Sequence, residues 1–123
     1  MEWPVKDDHA VSADRLSIIR ARPRRGATGT AAVQLDGEID FSNAGQVAGL
    51  ADALGGASVI IVDLSDVTFL DAAGLTALLR LAARLSLSGR HLVLTGTDHH
   101  PVRRPLAICG LDSILDCRPA LEV

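Results

Sequence analysis

The pattern of apolar and polar residues is clearest between residues 59 and 89. Residues 59–62 are four β-branched residues in a row, a run typical of a strand that is buried on both faces of an α/β sheet. Asp63 is predicted to end this strand. Beyond Asp71 the apolar residues recur at helical spacing, which predicts an amphipathic helix that ends near Gly89. Its apolar stripe consists of Leu75, Leu78, Leu79, Ala82 and Leu85.

The residues before this unit predict a hairpin. Residues 30–39 alternate between apolar and polar side chains, as in a strand with one solvated face. Residues 16–21 predict an earlier strand, and the arginine-rich residues 22–26 predict a turn or loop between the two. Strands connected in this way are expected to pair antiparallel.

Helices and strands alternate along the rest of the chain. Asn43, three residues before Gln46, is similar to the start of a capping box and predicts a helix that stops at Gly55. The remaining predicted elements are a strand over residues 91–95, a short helix over residues 101–108 and a last short strand over residues 111–115. The order ββαβαβαβ indicates an α/β domain, with a mixed sheet of four to five strands packed with helices.

Length and composition favour one small domain. A chain of 123 residues, 48% of them hydrophobic, can bury a proper core. No apolar run approaches the roughly 20 residues that span a bilayer, and the acidic N-terminus is unlike a signal peptide, so we expect no membrane insertion and a cytoplasmic protein. Cys109 and Cys117 are too few for a disulfide framework and are expected to be free thiols. We expect residues 1–13 to form a loosely ordered leader and residues 14–123 the domain.

Charge and motifs argue against several functions. Residues 36–71 carry seven carboxylates and no basic residue, and the chain has only three aromatic residues, so nucleic-acid binding is not expected. No P-loop, dinucleotide fingerprint or Ser–His–Asp order is present, so no catalytic residue, metal or cofactor is predicted. A phospho-acceptor receiver domain would use Asp63, but it also needs a late lysine, and Lys6 is the only one. His99 and His100 are expected to be exposed.

The start of the predicted central helix carries the most specific motif. Residues 69–79 read FLDAAGLTALL, which resembles the signature of STAS domains, in particular the bacterial anti-sigma factor antagonists. In that family the turn reads Asp-Ser-Ser/Ala-Gly-Leu, and Asp71, Gly74 and Leu75 match it. Residues 37–40 read GEID, similar to the Gly-Glu-(Leu/Ile)-Asp that the family carries at the end of its second strand. The resemblance implies the STAS fold.

The resemblance, which covers roughly residues 14–117, implies a regulatory binding protein. Such an antagonist docks on a kinase-type anti-sigma factor and thereby frees the sigma factor. In the family the first Ser after the Asp is phosphorylated by that kinase, and the added charge blocks docking. Here this position is Ala72, and Ala73 has no hydroxyl either, which implies a copy without the usual switch. A STAS module that serves lipid or solute transport, or a larger sensory assembly, stays open, as does the choice between monomer and weak dimer.

The expected binding site combines this helix start with nearby carboxylates. Asp71 is expected to cap a backbone N–H of Ala73 or Gly74, and the small residues that follow should leave a flat helix end. If the second and third strands are parallel, Asp63 and Asp66 should join the edge that carries Asp71. The alternative, that these acids are only solvated, stays open. The partner-binding residues we predict are Glu38, Asp40, Ser42, Asp71, Ala72, Ala73, Gly74, Leu75 and Thr76.

Overall fold

The computed structural model describes residues 19–25 and 29–120, and it contains the predicted mixed sheet. The strands are β1 (Ile19–Arg25), β2 (Thr30–Ile39), β3 (Val59–Leu70), β4 (His91–Thr95) and β5 (Asp116–Cys117). The helices are α1 (Ala44–Ala48), α2 (Leu50–Ala53), α3 (Ala72–Leu87) and α4 (His100–Ile108). The strands lie in sequence order across the sheet, with β1 antiparallel to β2 and the other four parallel.

The helices and the sheet share one hydrophobic core. Alternation along β2 turns Val33, Leu35 and Ile39 into the core, as predicted. These side chains join the central strand and the stripe of α3 in a single buried cluster. The stripe differs from the prediction, because Leu79 is 39% exposed while Ala77 and Leu81 are buried. Leu81 lies one turn from Leu78 and Leu85, so it completes the face that the sheet covers.

The central strand is much longer than predicted. Asp63 does not end β3, which continues to Leu70, so the expected acidic loop before α3 is itself a strand. The cause is β2, whose ten residues offer hydrogen-bonding partners up to the pair Ile39–Leu70. The ladder shifts register twice on the way, and such bulges move side chains to new faces.

Two further elements, β1 and the first predicted helix, differ from the prediction. Residues 22–25, predicted as a loop, lie in β1, where Pro23 is tolerated because the strand is at the sheet edge. The predicted strand residues 16–18 and the leader lie outside the described residues. The helix predicted after Asn43 is divided at Gly49 into α1 and α2, consistent with the poor helix propensity of glycine.

The last predicted strand is also displaced. Residues 111–113 form a 3₁₀ turn that follows Gly110, whose φ of +72° ends α4 in the left-handed conformation. Leu111 and Leu115 are both buried, and the N–H of Leu115 donates to the Leu111 carbonyl oxygen at 2.8 Å, which is a helical hydrogen bond and not one of a strand ladder. The strand β5 therefore begins only at Asp116.

One histidine covers the part of β3 that extends beyond β4. His99 was expected to be exposed, but its Nδ1 lies 2.9 Å from the Gly96 carbonyl oxygen and its Nε2 lies 2.8 Å from that of Val67. Val67 lies four residues beyond Asp63, the last residue of β3 that pairs with β4. The ring therefore shields an exposed strand edge, whereas His100 is exposed as predicted.

The short edge strand β5 is held by a surface ion cluster. Arg118 donates to both carboxylate oxygens of Asp116, at 3.0 Å each, and His91 Nε2 lies 2.8 Å from one of them. The Arg118 guanidinium and the His91 ring hold the pKa of Asp116 down at about 2. The cluster therefore links His91 in β4 and Asp116 in β5 to Arg118, which follows β5.

The two cysteines are free, as predicted, but they differ in environment. Cys109 is exposed, whereas Cys117 is partly buried against the core. Burial, and the nearby carboxylates of Asp112 and Asp116, raise the pKa of the Cys117 thiol.

We therefore expect two phases when the folded protein reacts with a thiol reagent at neutral pH. Cys109 should react first and Cys117 much more slowly, because the thiolate is the reacting species. The measurement is the time course of modification, with each site located by peptide mass. In denaturant both thiols should react together without prior reduction. A single fast phase in the folded protein would contradict the difference in burial.

Candidate partner-docking site

The ends of β2 and β3 bring the two predicted motifs together. The backbone N–H of Asp71 donates to the Ile39 carbonyl oxygen at 3.2 Å. The turn that starts at Asp40 and the turn that starts α3 therefore lie side by side at one edge of the sheet. This part of the predicted site, with Glu38 and Asp40 near Asp71, is assembled as expected.

The start of α3 is capped as predicted. Asp71 has an extended backbone conformation, and its Oδ1 accepts from the N–H of Gly74 at 2.9 Å. The Asp71 carbonyl oxygen accepts from the N–H of Leu75 at 2.9 Å, which closes the first helical turn. The carboxylate is thus committed to holding the helix end in place.

Gly74 has a different role from the one expected. It is buried, and a Cβ at this position would lie 2.6 Å from Leu70 Cδ1, 2.9 Å from Ile39 Cγ2 and 3.0 Å from the Ile39 carbonyl oxygen. Glycine therefore allows α3 to start in direct contact with the ends of β2 and β3. Since Leu75 is also buried, neither residue can form a contact surface, and both instead position the residues around them.

The exposed part of the turn consists of small side chains. Ala72 and Thr76 are exposed and Ala73 is partly buried. The Thr76 hydroxyl donates to the Ala72 carbonyl oxygen at 2.9 Å, so it is engaged by its own helix. The N-terminal end of α3 is therefore a flat surface of small side chains, with the Ala72 methyl group at its centre.

The neighbouring turn is fixed by an asparagine. Asn43 is 1% exposed; its Oδ1 accepts from the Asp40 N–H at 3.0 Å and its Nδ2 donates to the Glu38 carbonyl oxygen at 2.8 Å. It therefore does not cap α1 with its side chain, contrary to the predicted capping box. Asp40 Oδ1 in turn accepts from both the N–H and the hydroxyl of Ser42, at 3.0 and 2.7 Å.

Two of the predicted acidic residues do not belong to this edge. Asp66 and Asp63 lie within the long β3, five and eight residues before Asp71. At about 3.3 Å per residue these separations are roughly 17 and 26 Å. Asp63 is buried and accepts from the N–H and hydroxyl of Ser65, and Asp66 accepts from Gln34. The expectation failed because the end of β3 was placed too early.

The structure adds large apolar side chains to the site. Phe41, next to Asp40, is 82% exposed, and Phe69, opposite Glu38 in the β2–β3 ladder, is 48% exposed. Leu79 lies two turns above Ala72 on the same side of α3. Sequence reasoning assigned Leu79 to the core and gave the two phenylalanines no role. Their position at the ends of strands, beside polar residues, was the available signal.

We call this region the α3-start surface. It consists of Glu38, Asp40, Phe41, Ser42, Phe69, Asp71, Ala72, Ala73, Thr76 and Leu79. Apolar side chains of this size, exposed next to carboxylates, are typical of a surface that another protein covers. Within the described residues, no group of three His, Cys, Asp or Glu side chains could hold a metal ion. No helix in that part of the chain is long and apolar enough to cross a membrane.

Comparison with known proteins agrees with the motif and the fold. The family model of the STAS domain matches residues 22–123. The chain belongs to the STAS domain family. None of the curated proteins matches the sequence significantly.

Solved structures resemble this STAS domain over most of its length. An anti-sigma factor antagonist from Mycobacterium paratuberculosis is 28% identical, with a TM-score of 0.67 over 84% of this chain and 87% of that one. The anti-sigma factor antagonist SpoIIAA in its unphosphorylated form, from Bacillus, is 21% identical, with a TM-score of 0.68 over 83% and 89%. A sulfate transporter family protein from Wolinella succinogenes is 20% identical, with a TM-score of 0.70 over 80% and 83%. Because the last two structures are only 21% and 20% identical to this chain, their similarity shows the fold alone.

Proposed function

We propose that this STAS domain is a cytoplasmic anti-sigma factor antagonist, which binds a kinase-type anti-sigma factor through the α3-start surface. It acts by binding and not by catalysis. The observation that carries the proposal is the exposed, capped turn at Ala72, which lies beside the strand ends that carry the exposed Phe41 and Phe69. The 28% identity to a mycobacterial antagonist supports the choice among STAS functions.

The chemistry of the surface fits a protein partner. Burying the exposed part of Phe41 and Phe69 would remove apolar area from water, which stabilises a complex by about 25 cal/mol per Å². Aromatic anchors surrounded by polar residues are the usual centres of such interfaces. Glu38, Asp40 and Asp71 make the rim acidic, so the matching surface of the partner should be basic.

Ala72 gives this copy a particular regulatory property. A methyl group cannot accept phosphate, so phosphorylation at this position cannot switch off binding. The antagonist is therefore able to bind as soon as it is synthesised. Thr76 is not a substitute, because it lies about 6 Å further along the helix axis and its hydroxyl donates to the Ala72 carbonyl oxygen. Any negative regulation must therefore act at another residue or through the partner.

The acidic rim predicts that association depends on salt. We expect the association rate constant with the anti-sigma factor to fall about tenfold from low to high ionic strength, since salt screens the attraction. The measurement is stopped-flow or surface-based kinetics across a salt series. The variant Glu38→Gln should show a shallower dependence, whereas Asp112→Gln, on the exposed turn after α4, should behave as wild type. Rates that do not change with salt would contradict the acidic rim.

The test of the proposed function is affinity purification from the bacterium that encodes the protein. Tagged wild-type protein and Ala72→Asp are purified in parallel, and the retained proteins are identified by mass spectrometry. We expect a kinase-type anti-sigma factor with wild type and not with Ala72→Asp. A membrane transporter or a multi-domain sensor retained equally by both would contradict the proposal and favour a STAS module of transport or of a larger sensory assembly.

A further inference from the structure

Two exposed isoleucines mark a region of the surface outside the α3-start surface. Ile108, the last residue of α4, is 70% exposed, and Ile114, just after the 3₁₀ turn that follows α4, is 68% exposed. The turn is tied to the end of α4. The Gly110 N–H donates to the Ala107 carbonyl oxygen at 3.1 Å, and the N–H and hydroxyl of Ser113 both donate to the Gly110 carbonyl oxygen. Isoleucine is among the residue types most often buried, so this pair is a candidate contact region.

Exposed side chains of opposite charge accompany the two isoleucines. Arg104 lies one turn before Ile108 on the same face of α4, and it is exposed. Asp112 is exposed in the 3₁₀ turn, two residues before Ile114. Within the part of the chain that the structure describes, neither the Arg104 nor the Asp112 side chain forms an ion pair or a hydrogen bond. Both charges are therefore available to pair with another molecule.

We propose that this region binds a second copy of the chain across a two-fold axis. We call it the α4-end surface; it consists of Arg104, Ala107, Ile108, Asp112 and Ile114. A two-fold interface uses the same patch on both subunits, and its contacts are reciprocal. A patch with a basic side chain on the helix, an acidic one on the turn and isoleucines next to each can be its own complement. The axis places Arg104 of each copy opposite Asp112 of the other, with the isoleucines between these pairs.

The charge pattern favours a second copy over an unrelated partner, and the size of the surface sets the expected strength. An unrelated protein would need an acidic group, an apolar centre and a basic group in the matching order, whereas a second copy carries them already. A standard interface buries about 800 Å² per partner, and a surface of five residues is smaller. The dimer should therefore be weak and form only at high protein concentration.

The α4-end surface and the α3-start surface lie at opposite ends of the sheet. β5 is parallel to β4 and begins beside Val93, so the turn that precedes β5 lies toward the starts of the parallel strands. The α3-start surface lies where β2 and β3 end. A dimer formed through the α4-end surface would leave both docking surfaces exposed, and it does not depend on the proposed function.

The experiment is sedimentation velocity of the full chain at concentrations from micromolar to millimolar. We expect the average mass of wild type to rise from monomer toward dimer, and Ile108→Ser to lower the association constant about tenfold or more, because it removes buried apolar area. Phe41→Ser is the matched control, since Phe41 is a similarly exposed apolar residue of the α3-start surface, and it should associate as wild type. A wild type that stays monomeric, Ile108→Ser that associates as wild type, or a loss of association in Phe41→Ser would each overturn the inference.

Exchanged charges test the two-fold arrangement itself. At low ionic strength, Arg104→Glu and Asp112→Arg should each weaken self-association about tenfold, because each places like charges opposite one another. An equimolar mixture of the two variants should recover association, since both pairs in the mixed dimer again join opposite charges. A mixture that associates no better than either variant alone would contradict the reciprocal pairing, as would single variants that associate like wild type.

Discussion

Replacing Gly74 by alanine is expected to destabilise the protein, although alanine is the better helix former. The new Cβ would lie within 3.0 Å of Leu70 and of Ile39, which have to move apart. Overpacking of this kind costs about 1–3 kcal/mol, and improved helix propensity returns up to about 1 kcal/mol. We therefore expect the free energy of unfolding to fall by about 1–2 kcal/mol, and α3 to be displaced from the strand ends.

Gly45→Ala is the matched control for this substitution. Gly45 is also a helical glycine, in α1, but a Cβ there would meet no atom within 4 Å. Alanine should leave the stability of the protein unchanged or raise it by up to about 1 kcal/mol. Urea unfolding of both variants and wild type gives the comparison. If the two alanine variants were equally stable, the close contact at Gly74 would not be what determines the position of α3.

The second large effect is expected on binding, at Ala72. The substitution Ala72→Asp places a carboxylate at the first residue of α3, where the helix dipole favours negative charge by about 0.3–1 kcal/mol. The fold should therefore persist. In the complex the same charge must be desolvated near Asp71 and Asp40, and such like-charge contacts cost several kcal/mol. We expect the dissociation constant to rise roughly a hundredfold, because each 1.4 kcal/mol is about a factor of ten.

Ala72→Ser separates size and polarity from charge. A hydroxyl adds one small polar atom at an exposed position, so the affinity for the anti-sigma factor should stay within about threefold of wild type. The added hydroxyl should also make the turn a phosphate acceptor. Incubation with the anti-sigma factor and ATP, followed by peptide mass analysis, tests this. No phosphate on residue 72 would indicate that the kinase does not reach the turn.

Local signals predicted the parts of the fold that depend on few residues. The alternation over residues 30–39 gave β2 with its observed bounds, and Asp71 caps Gly74 as expected. Both features are determined within one strand or one turn. The order of elements and the mixed sheet followed from them, because only a few topologies join such elements with short connections.

Features that depend on tertiary contacts could not be predicted from local sequence signals. β3 continues past Asp63 because β2 supplies partners, and no residue in 63–70 signals that on its own. The exposure of Phe69 depends on two register shifts, and that of Phe41 on the turn that Asn43 fixes. Gly74 is explained by Ile39, which lies 35 residues away in the chain. Thus the motif marked the candidate site, while the exposed phenylalanines beside it emerged only from the packed structure.

The central claim is that the first turn of α3 is the surface that the anti-sigma factor covers. The most direct measurement is calorimetric titration of the purified anti-sigma factor with wild type, Ala72→Asp and Ala83→Asp. Ala83 is exposed on the same helix, three turns beyond Ala72, so this variant carries the same charge change away from the turn. We predict that wild type and Ala83→Asp bind equally and that Ala72→Asp binds roughly a hundredfold more weakly. Equal affinity of all three proteins would contradict the claim.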